Sequence, residues 1–303
     1  MDIRQLRQFL AIAEEGAFSR AAARLNVAQP ALSTGLRKLE EELGVALFLR
    51  GPRGVVPTEA GELLLRRARG LIGDLETARE EVRSLGRTPQ GTVWLGLPGT
   101  VCGILPAPLI ARCRDRYPGI RIIVAEAMSG FVHEWLLEGR IELAVLYAEL
   151  RETGILSRPL LDEELVLLLP PREDAPGGLP AGPLILPSPA HGLRRMLDAA
   201  LRAGGAKRAP AYEVDSYQAI KQLVAGGYGW SVLPRHAVAA EAAAGELALR
   251  PWPGAPLQRR AWLSHMSARP LSRPAQIVSD LLFETVEGLI AEGRWAGAAR
   301  AQD

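Results

Sequence analysis

From the first residues, apolar positions recur with helical spacing: Ile3, Leu6, Phe9, Leu10 and Ala13 share one helical face, and Gly16 ends the run. Ser19 to Leu25 predicts a second short helix, with a turn at Asn26 and Val27. Gln29 and Pro30 open a third, where proline in the first turn gives up an N–H that has no helical partner. That helix runs to Leu43 and stops at Gly44. Leu47 and Phe48 then lead into the hairpin-like stretch RGPRGVVPT, with Arg50 to Val56 as its wing. Two helices joined by a tight turn and followed by a hairpin predict a winged helix-turn-helix. Thr58 has the chemistry of an N-cap for the next helix, and Glu59 places a favourable charge in its first turn.

In that next helix, Leu64, Ala68, Leu71, Leu75, Ala78, Val82 and Leu85 follow one another by alternate steps of four and three, a heptad seam. Such a stripe calls for a partner helix, most economically from a second copy of the chain; packing on its own domain is the alternative. After the polar break Gly86 to Gly91, the pattern changes. Strands are expected at Thr92–Leu97, Arg121–Glu126, Leu143–Tyr147, Leu165–Leu169, Leu184–Leu186 and Trp230–Leu233. Helices are expected at Gly130–Glu138, Gly192–Ala203, Tyr217–Ala225 and Arg273–Glu292, with another ending near Tyr117. This alternation predicts parallel sheets covered on both faces.

The chain has 303 residues, 48% of them hydrophobic and 23% charged, enough for two or three folded units and too apolar for a disordered chain. A net charge of +2 excludes a polybasic coat for nucleic acid but leaves room for a local basic site. The whole excess falls within the first 89 residues. Two cysteines, Cys102 and Cys113, supply neither a disulfide framework nor a zinc site, so the expected setting is reduced and cytoplasmic. No apolar run approaches the ~18 residues of a membrane span. The chain contains no G-x-S-x-G, no G-x-x-x-x-G-K-[ST] and no H-E-x-x-H, and its four histidines are scattered. Neither a catalytic centre nor a metal or cofactor is expected.

Residues 1 to 90 closely resemble the N-terminal region of LysR-type transcriptional regulators, through MDIRQLRQFLAIAEEGAFSRAAARLNVAQPALSTGLRKLEEELGVALFLR, RGVVPTEAG and the heptad helix. The remainder resembles the family's effector-binding region in spacing, from GTVWLGLPG through YPGIRI and GRIELAVL to Gly226-Gly227-Tyr228-Gly229. The resemblance implies an α/β protein with a winged helix-turn-helix over 1–58 and a dimerising linker helix and hinge over 59–90. A two-lobed, type 2 periplasmic-binding-protein-like effector domain would fill 91–303, with lobe I at 91–161 and 266–303 and lobe II at 162–265. The implied partners are double-stranded promoter DNA, a small-molecule effector such as a carboxylate or aromatic acid, further copies of the chain in a dimer and a tetramer, and RNA polymerase. Ala28 departs from the family pattern where Ser or Thr usually caps the recognition helix; Leu49 and Pro57 also depart from it. The stretch AMSGFVHEWLLEGRIELAVLY looks nearest to regulators of nitrogen assimilation or aromatic-compound metabolism. A solute-binding component on the same lobed fold is the competing reading, but it leaves the first 90 residues without a role and lacks the expected export signal.

On the recognition helix, Gln29, Ser33 and Arg37 are spaced by four and form one polar stripe, while Leu32, Leu36 and Leu39 turn to the core. Glutamine pairs with adenine, arginine with guanine or phosphate, and short hydroxyls with phosphate. Pro30 is placed to touch a thymine methyl, Thr34 and Arg50 to meet phosphate, and Arg53 to enter a minor groove. Glu40, Glu41 and Glu42 are expected on a solvated face away from the duplex. In the lobed domain a ligand is expected at the strand ends. That selects Thr100, Cys102, Ser129 and Tyr147 from the first lobe, and His191, Gly192, Arg194 and Ser216 from the second.

Overall fold

Three left-handed residues set the ends of the first three helices. Helix α1 (Ile3–Glu15) stops at Gly16, α2 (Phe18–Leu25) at Asn26 and α3 (Gln29–Leu43) at Gly44, with φ of 62, 54 and 72°. Glycine and asparagine tolerate this conformation. At its start α1 has a reciprocal cap, Asp2 and Gln5 each accepting the other's backbone N–H at 2.8 Å. Phe9, Ile12, Leu32, Leu36 and Leu39 fill the core between the helices, and Phe9 lies 5.2 Å from the ring of Phe48. Strand β1 (Phe48–Gly51) pairs antiparallel with β2 (Gly54–Pro57). The Val55 N–H donates to the Gly16 carbonyl at 3.0 Å, so the end of α1 anchors the hairpin.

The computed structural model describes residues 1–51, 54–84, 88–148, 154–171, 177–189, 191–203, 208–267 and 269–301. Residues 1–87 form one compact unit and 88–303, apart from 137–140, a second. Helix α4 (Glu59–Ser84) begins as expected at Thr58, whose hydroxyl accepts from the Gly61 N–H at 3.0 Å and donates to the Ala46 carbonyl at 2.8 Å. Its apolar residues divide into two groups. Ala68 is wholly buried, with Leu64, Leu65 and Ile72 packed beside it on the unit's own core, while Leu71 and Val82 are 51% and 75% exposed. The start of the heptad stripe is therefore used within the unit, and the exposed part begins at Leu71. Leu85 lies outside the described residues.

In the second unit the chain runs β3 (Gly91–Leu97), α5 (Gly99–Cys102), α6 (Pro106–Arg116), β4 (Ile120–Glu126), α7 (Ser129–Leu137) and β5 (Leu143–Leu146). It continues through β6 (Ile155–Leu169), β7 (Ile185–Leu186), α8 (Gly192–Ala203), β8 (Tyr212–Glu213), α9 (Tyr217–Ala225) and β9 (Ser231–Pro234). After a 3-10 turn (Arg235–Val238) come α10 (Ala239–Ala243), β10 (Ala248–Pro251), β11 (Leu257–Met266), α11 (Arg273–Ala291) and β12 (Ala298–Arg300). The main sheet has the order β10-β6-β11-β5-β3-β4, with β9 and β12 also on β6.

The expectation of parallel sheets needs correction. Strand β3 is parallel to β4 and β5, and β7 to β8, but every pairing made by β6 and β11 is antiparallel. Strand β6 also begins ten residues before the expected apolar run, and its partner β11 carries Arg259, Arg260 and His265, residues that do not read as a buried strand. Two large cores result. Val93, Leu143, Val145, Leu263 and Leu282 belong to the first large cluster, and Leu197, Ile220 and Leu233 to the second. Strand β6 gives Leu160 and Leu161 to the first and Leu165–Leu169 to the second, so it joins the two halves. Among the described residues no helix is long and apolar enough to cross a membrane.

Candidate functional site

On α3, Gln29, Pro30, Thr34 and Arg37 are exposed and Ser33 half-buried, over a fully packed Leu32, Leu36 and Leu39. Ala28 supplies no side-chain cap, so the first N–H groups of the helix have no side-chain acceptor there. Arg37 meets Glu41 at 3.5 Å one turn on, an exposed pair of little energetic weight that leaves the guanidinium available. The guanidinium of Arg50 lies 4.9 Å over the ring of Phe18. Glu41 and Glu42 are exposed as expected, but Glu40 is not simply solvated: its carboxylate accepts the Leu47 N–H at 2.7 Å and fastens the strand that follows. Arg53 lies outside the described residues.

The second unit encloses a cleft of about 850 Å3. Gly99 and Thr100 follow β3 in its wall, and Glu126 ends β4 with Met128 just beyond it. The other side brings His191 ahead of α8, then Asp215, Ser216 and Tyr217 at the start of α9, and His236 after β9. These are strand ends and helix beginnings, where α/β sheets place ligands.

Beneath the cleft lies a buried polar cluster. Arg259 stands opposite Glu163 in the β11–β6 register, and its Nε donates to Glu163 Oε1 at 2.6 Å. Its Nη2 donates to Thr100 Oγ1 at 3.1 Å, and its guanidinium covers the Tyr147 ring at 3.5 Å. Trp295 Nε1 donates to the other Glu163 oxygen at 3.2 Å. Burial alone would raise the Glu163 carboxyl, but attraction to Arg259 and the hydrogen bonds from Arg259 and Trp295 hold it below the ordinary carboxylate range. Asp162 and Glu164, the neighbours of Glu163, pair with Arg260 at 2.8 Å and with Arg235 at 2.6 Å. Three consecutive acids on β6 thus meet three arginines.

The two cleft histidines are held neutral by different means, His191 by its hydrogen bonds and His236 by burial. His191 Nδ1 accepts the Leu193 N–H at 3.2 Å, so the ring proton sits on Nε2 and is donated to Tyr217 Oη at 2.8 Å. His236 Nε2 donates to the Thr100 carbonyl at 3.1 Å, leaving Nδ1 as a lone pair 3.3 Å from Glu163 Oε2 with no hydrogen bond. Burial lowers the basicity of both rings.

Of the residues selected from sequence, Thr100, His191 and Ser216 line the cleft, and Ser216 also caps α9 by accepting the Ala219 N–H at 3.3 Å. Ser129 and Gly192 meet where the first turns of α7 and α8 approach: a Cβ on Gly192 would stand 4.0 Å from Ser129 Cβ. Tyr147 bonds Thr100 from below, hydroxyl to hydroxyl at 3.2 Å. Arg194 is committed to the second half itself, donating to Asp198 at 2.9 Å, Glu213 at 2.8 Å and the Pro187 carbonyl at 3.0 Å. Cys102 is half-buried outside the cleft lining; burial, with the Glu126 carboxylate beside it, pushes its thiol up to about 12. Sequence reading missed Arg259, Glu163, His236, Tyr217, Glu126 and Asp215. The signal it had was the unusual DEE run at 162–164 beside an apolar strand. Among the described residues no three His, Cys, Asp or Glu side chains are grouped to hold a metal ion.

Residues 3–62 match the family described as "Bacterial regulatory helix-turn-helix protein, lysR family", and residues 86–287 match "LysR substrate binding domain". The nitrogen assimilation regulatory protein nac of Klebsiella aerogenes is 33% identical over 304 residues, covering 97% of this chain and 98% of that protein. The transcriptional regulator BbuR of Bordetella bronchiseptica is 30% identical over 304 residues, covering 98% and 94%. Among solved structures, a full-length OxyR variant from Pseudomonas aeruginosa superposes with a TM-score of 0.75 at 24% identity, over 100% of this chain and 99% of that one. Full-length CbnR complexed with its target DNA gives 0.66 at 22%, over 95% and 99%.

Proposed function

The chain belongs to the LysR family of bacterial transcriptional regulators, and from that membership we propose which of its residues read DNA, which pair its copies and which meet its effector. It is a DNA-binding regulator with a domain that binds a small-molecule effector. Gln29 and Arg37 face base edges in the major groove of promoter DNA, and Ser33 on the same stripe meets phosphate. Pro30, Thr34 and Arg50 contact the T methyl and the backbone, and Arg53 reaches the minor groove from the wing. The observation that carries this reading is the exposed polar stripe of α3 lying over a packed Leu32, Leu36 and Leu39.

Two copies join through the exposed stripe of α4 that begins at Leu71, and pairs of dimers make the tetramer. Each dimer presents two recognition helices to a two-fold operator, in the cytoplasm where promoters lie, and contact with RNA polymerase conveys the output. The effector occupies the cleft of the second unit, its carboxylate directed to the hydroxyls and N–H groups at Thr100, Ser129 and Ser216. Since β6 and β11 join the two halves, an effector that binds one arrangement of them more tightly shifts the population toward it.

Footprinting on the promoter region of the protein's own gene and its divergent neighbour tests the DNA assignment. Arg37→Ala weakens binding, and Arg53→Ala lowers the salt slope by about one; wild-type footprints from both would remove these residues from the interface. A thermal-shift screen tests the cleft: a stabilising ligand loses its effect with Thr100→Val or Ser129→Ala, and hits indifferent to both lie elsewhere.

A further inference from the structure

Among the described residues, the cations around the cleft are already occupied. Arg259 is held by Glu163, and Lys221 Nζ bonds Glu241 and the Ala237 carbonyl. His191 is neutral, and His236 spends its ring proton on the Thr100 carbonyl. Two carboxylates remain without a described cation, Glu126 at the end of β4 and Asp215 ahead of α9. Asp215 Oδ1 accepts the Ser188 N–H at 2.8 Å, and the Cys102 thiol bonds Glu126. Neither contact neutralises a charge.

The missing side chain of Gly99 leaves space between the two sides. A Cβ built there would stand 2.9 Å from Glu126 Oε1 and 3.6 Å from the Tyr217 ring, so a carboxylate from one half and an aromatic ring from the other flank the same point. What the cleft leaves unmet is therefore negative charge.

We propose that the effector carries a cationic nitrogen, an ammonium or guanidinium, held between Glu126 and Asp215 with Tyr217 beside it. The inference rests on the cleft being the effector site and adds the ligand's charge. A simple monoanionic acid entering here meets two like charges. An amine, or an amino acid with a basic side chain, meets two opposite charges and a ring suited to cation–π contact. A cation bridging residues from both halves binds best when they are drawn together, the differential affinity that regulation requires. Any carboxylate on the effector is then one pole of a zwitterion, with the hydroxyls of Thr100 and Ser216 as its partners.

The test is calorimetry and thermal shift on the full-length protein with L-lysine, agmatine and putrescine as cationic probes, and glutarate, benzoate and L-leucine for comparison. At least one cationic probe binds, and Glu126→Gln and Asp215→Asn each weaken it about tenfold. Both changes are isosteric, and the amide oxygen introduced by Asp215→Asn still accepts from Ser188; unchanged melting of the ligand-free variants verifies the fold. Binding by none of the cations, or equal cation binding by the wild type and both variants, overturns the proposal. If glutarate or benzoate binds, and loses its effect with Thr100→Val, the cleft stands as effector site and the cationic ligand falls. Hits of any charge that ignore Thr100→Val count against the effector site itself.

Discussion

Arg259 and Glu163 face each other as a cross-strand pair on β11 and β6, their charged groups 2.6 Å apart and their side chains only 4% and 0% exposed. Because these strands serve both cores, the pair lies where the two halves of the effector unit are joined. Through it Thr100 and Tyr147 beneath the cleft are tied to Trp295 near the C-terminus.

Removing one member leaves the other charged in a dry setting, which costs far more than an exposed ion pair is worth. Glu163→Gln and Arg259→Met are each expected to lower stability by about 3 kcal/mol. The double variant loses much less than the sum, because the second change removes the stranded charge. Urea unfolding of the four proteins measures the coupling, and additive losses would mean the two groups do not act as a pair.

Acid weakens the effector unit in two stages. His191 and His236 are buried and less basic than the ordinary 6.5, chiefly because burial disfavours the charged ring. Below pH 6.5 the unfolded chain takes up protons that the folded one refuses, so their stabilising effect is full above 6.5 and is lost as the pH falls through their lowered values. Glu163, held below the ordinary 4.5, adds a second loss at still lower pH. The urea midpoint should therefore drop between pH 8 and pH 5, and His191→Gln with His236→Gln should flatten that decline. A midpoint that rises on acidification would contradict the assignment of neutral rings.

Both cysteines should behave as inert thiols. With its thiol pushed up to about 12 by burial and by Glu126, Cys102 stays protonated at pH 8. Burial raises Cys113 as well, and it is 2% exposed. Iodoacetamide at pH 8 should leave the native protein unmodified over the time in which it alkylates both thiols in urea, and peroxide should add no oxygen to the native mass. Glu126→Gln should speed labelling of Cys102. Rapid native labelling would overturn this view of the thiols.

Gly61→Ala sets two local rules against each other. Alanine in a helix is favoured over glycine by about 1 kcal/mol, but a Cβ at this position would stand 2.1 Å from the Leu47 carbonyl oxygen, a backbone atom that cannot rotate aside. The expected outcome is a net loss of about 2 kcal/mol in the DNA-binding unit, read as a lower melting temperature and weaker operator binding. A more stable variant would show that α4 can shift away from Leu47.

How much could be read in advance follows the range of the interactions involved. Gly16, Asn26 and Gly44, with Thr58 as a cap, mark the ends of α1 to α4 because capping is decided within four residues, and Leu32, Leu36 and Leu39 reveal their face through helical periodicity alone. The sequence by itself thus determined the winged helix-turn-helix, the polar stripe of α3 and the family. It also placed Thr100, His191 and Ser216 at strand-to-helix junctions that line the cleft. Only the tertiary structure decided that Glu163 and Arg259, 96 residues apart, form a buried pair. By composition both belong on the surface, and strand register alone brings them together. It likewise decided that Arg194 binds Asp198 and Glu213 within the second half, and that Ala68 packs on its own domain while Leu71 stays exposed. A charge or a methyl group has no fixed meaning until the fold sets its neighbours: local rules place the elements, and burial with pairing across long loops gives their side chains a role.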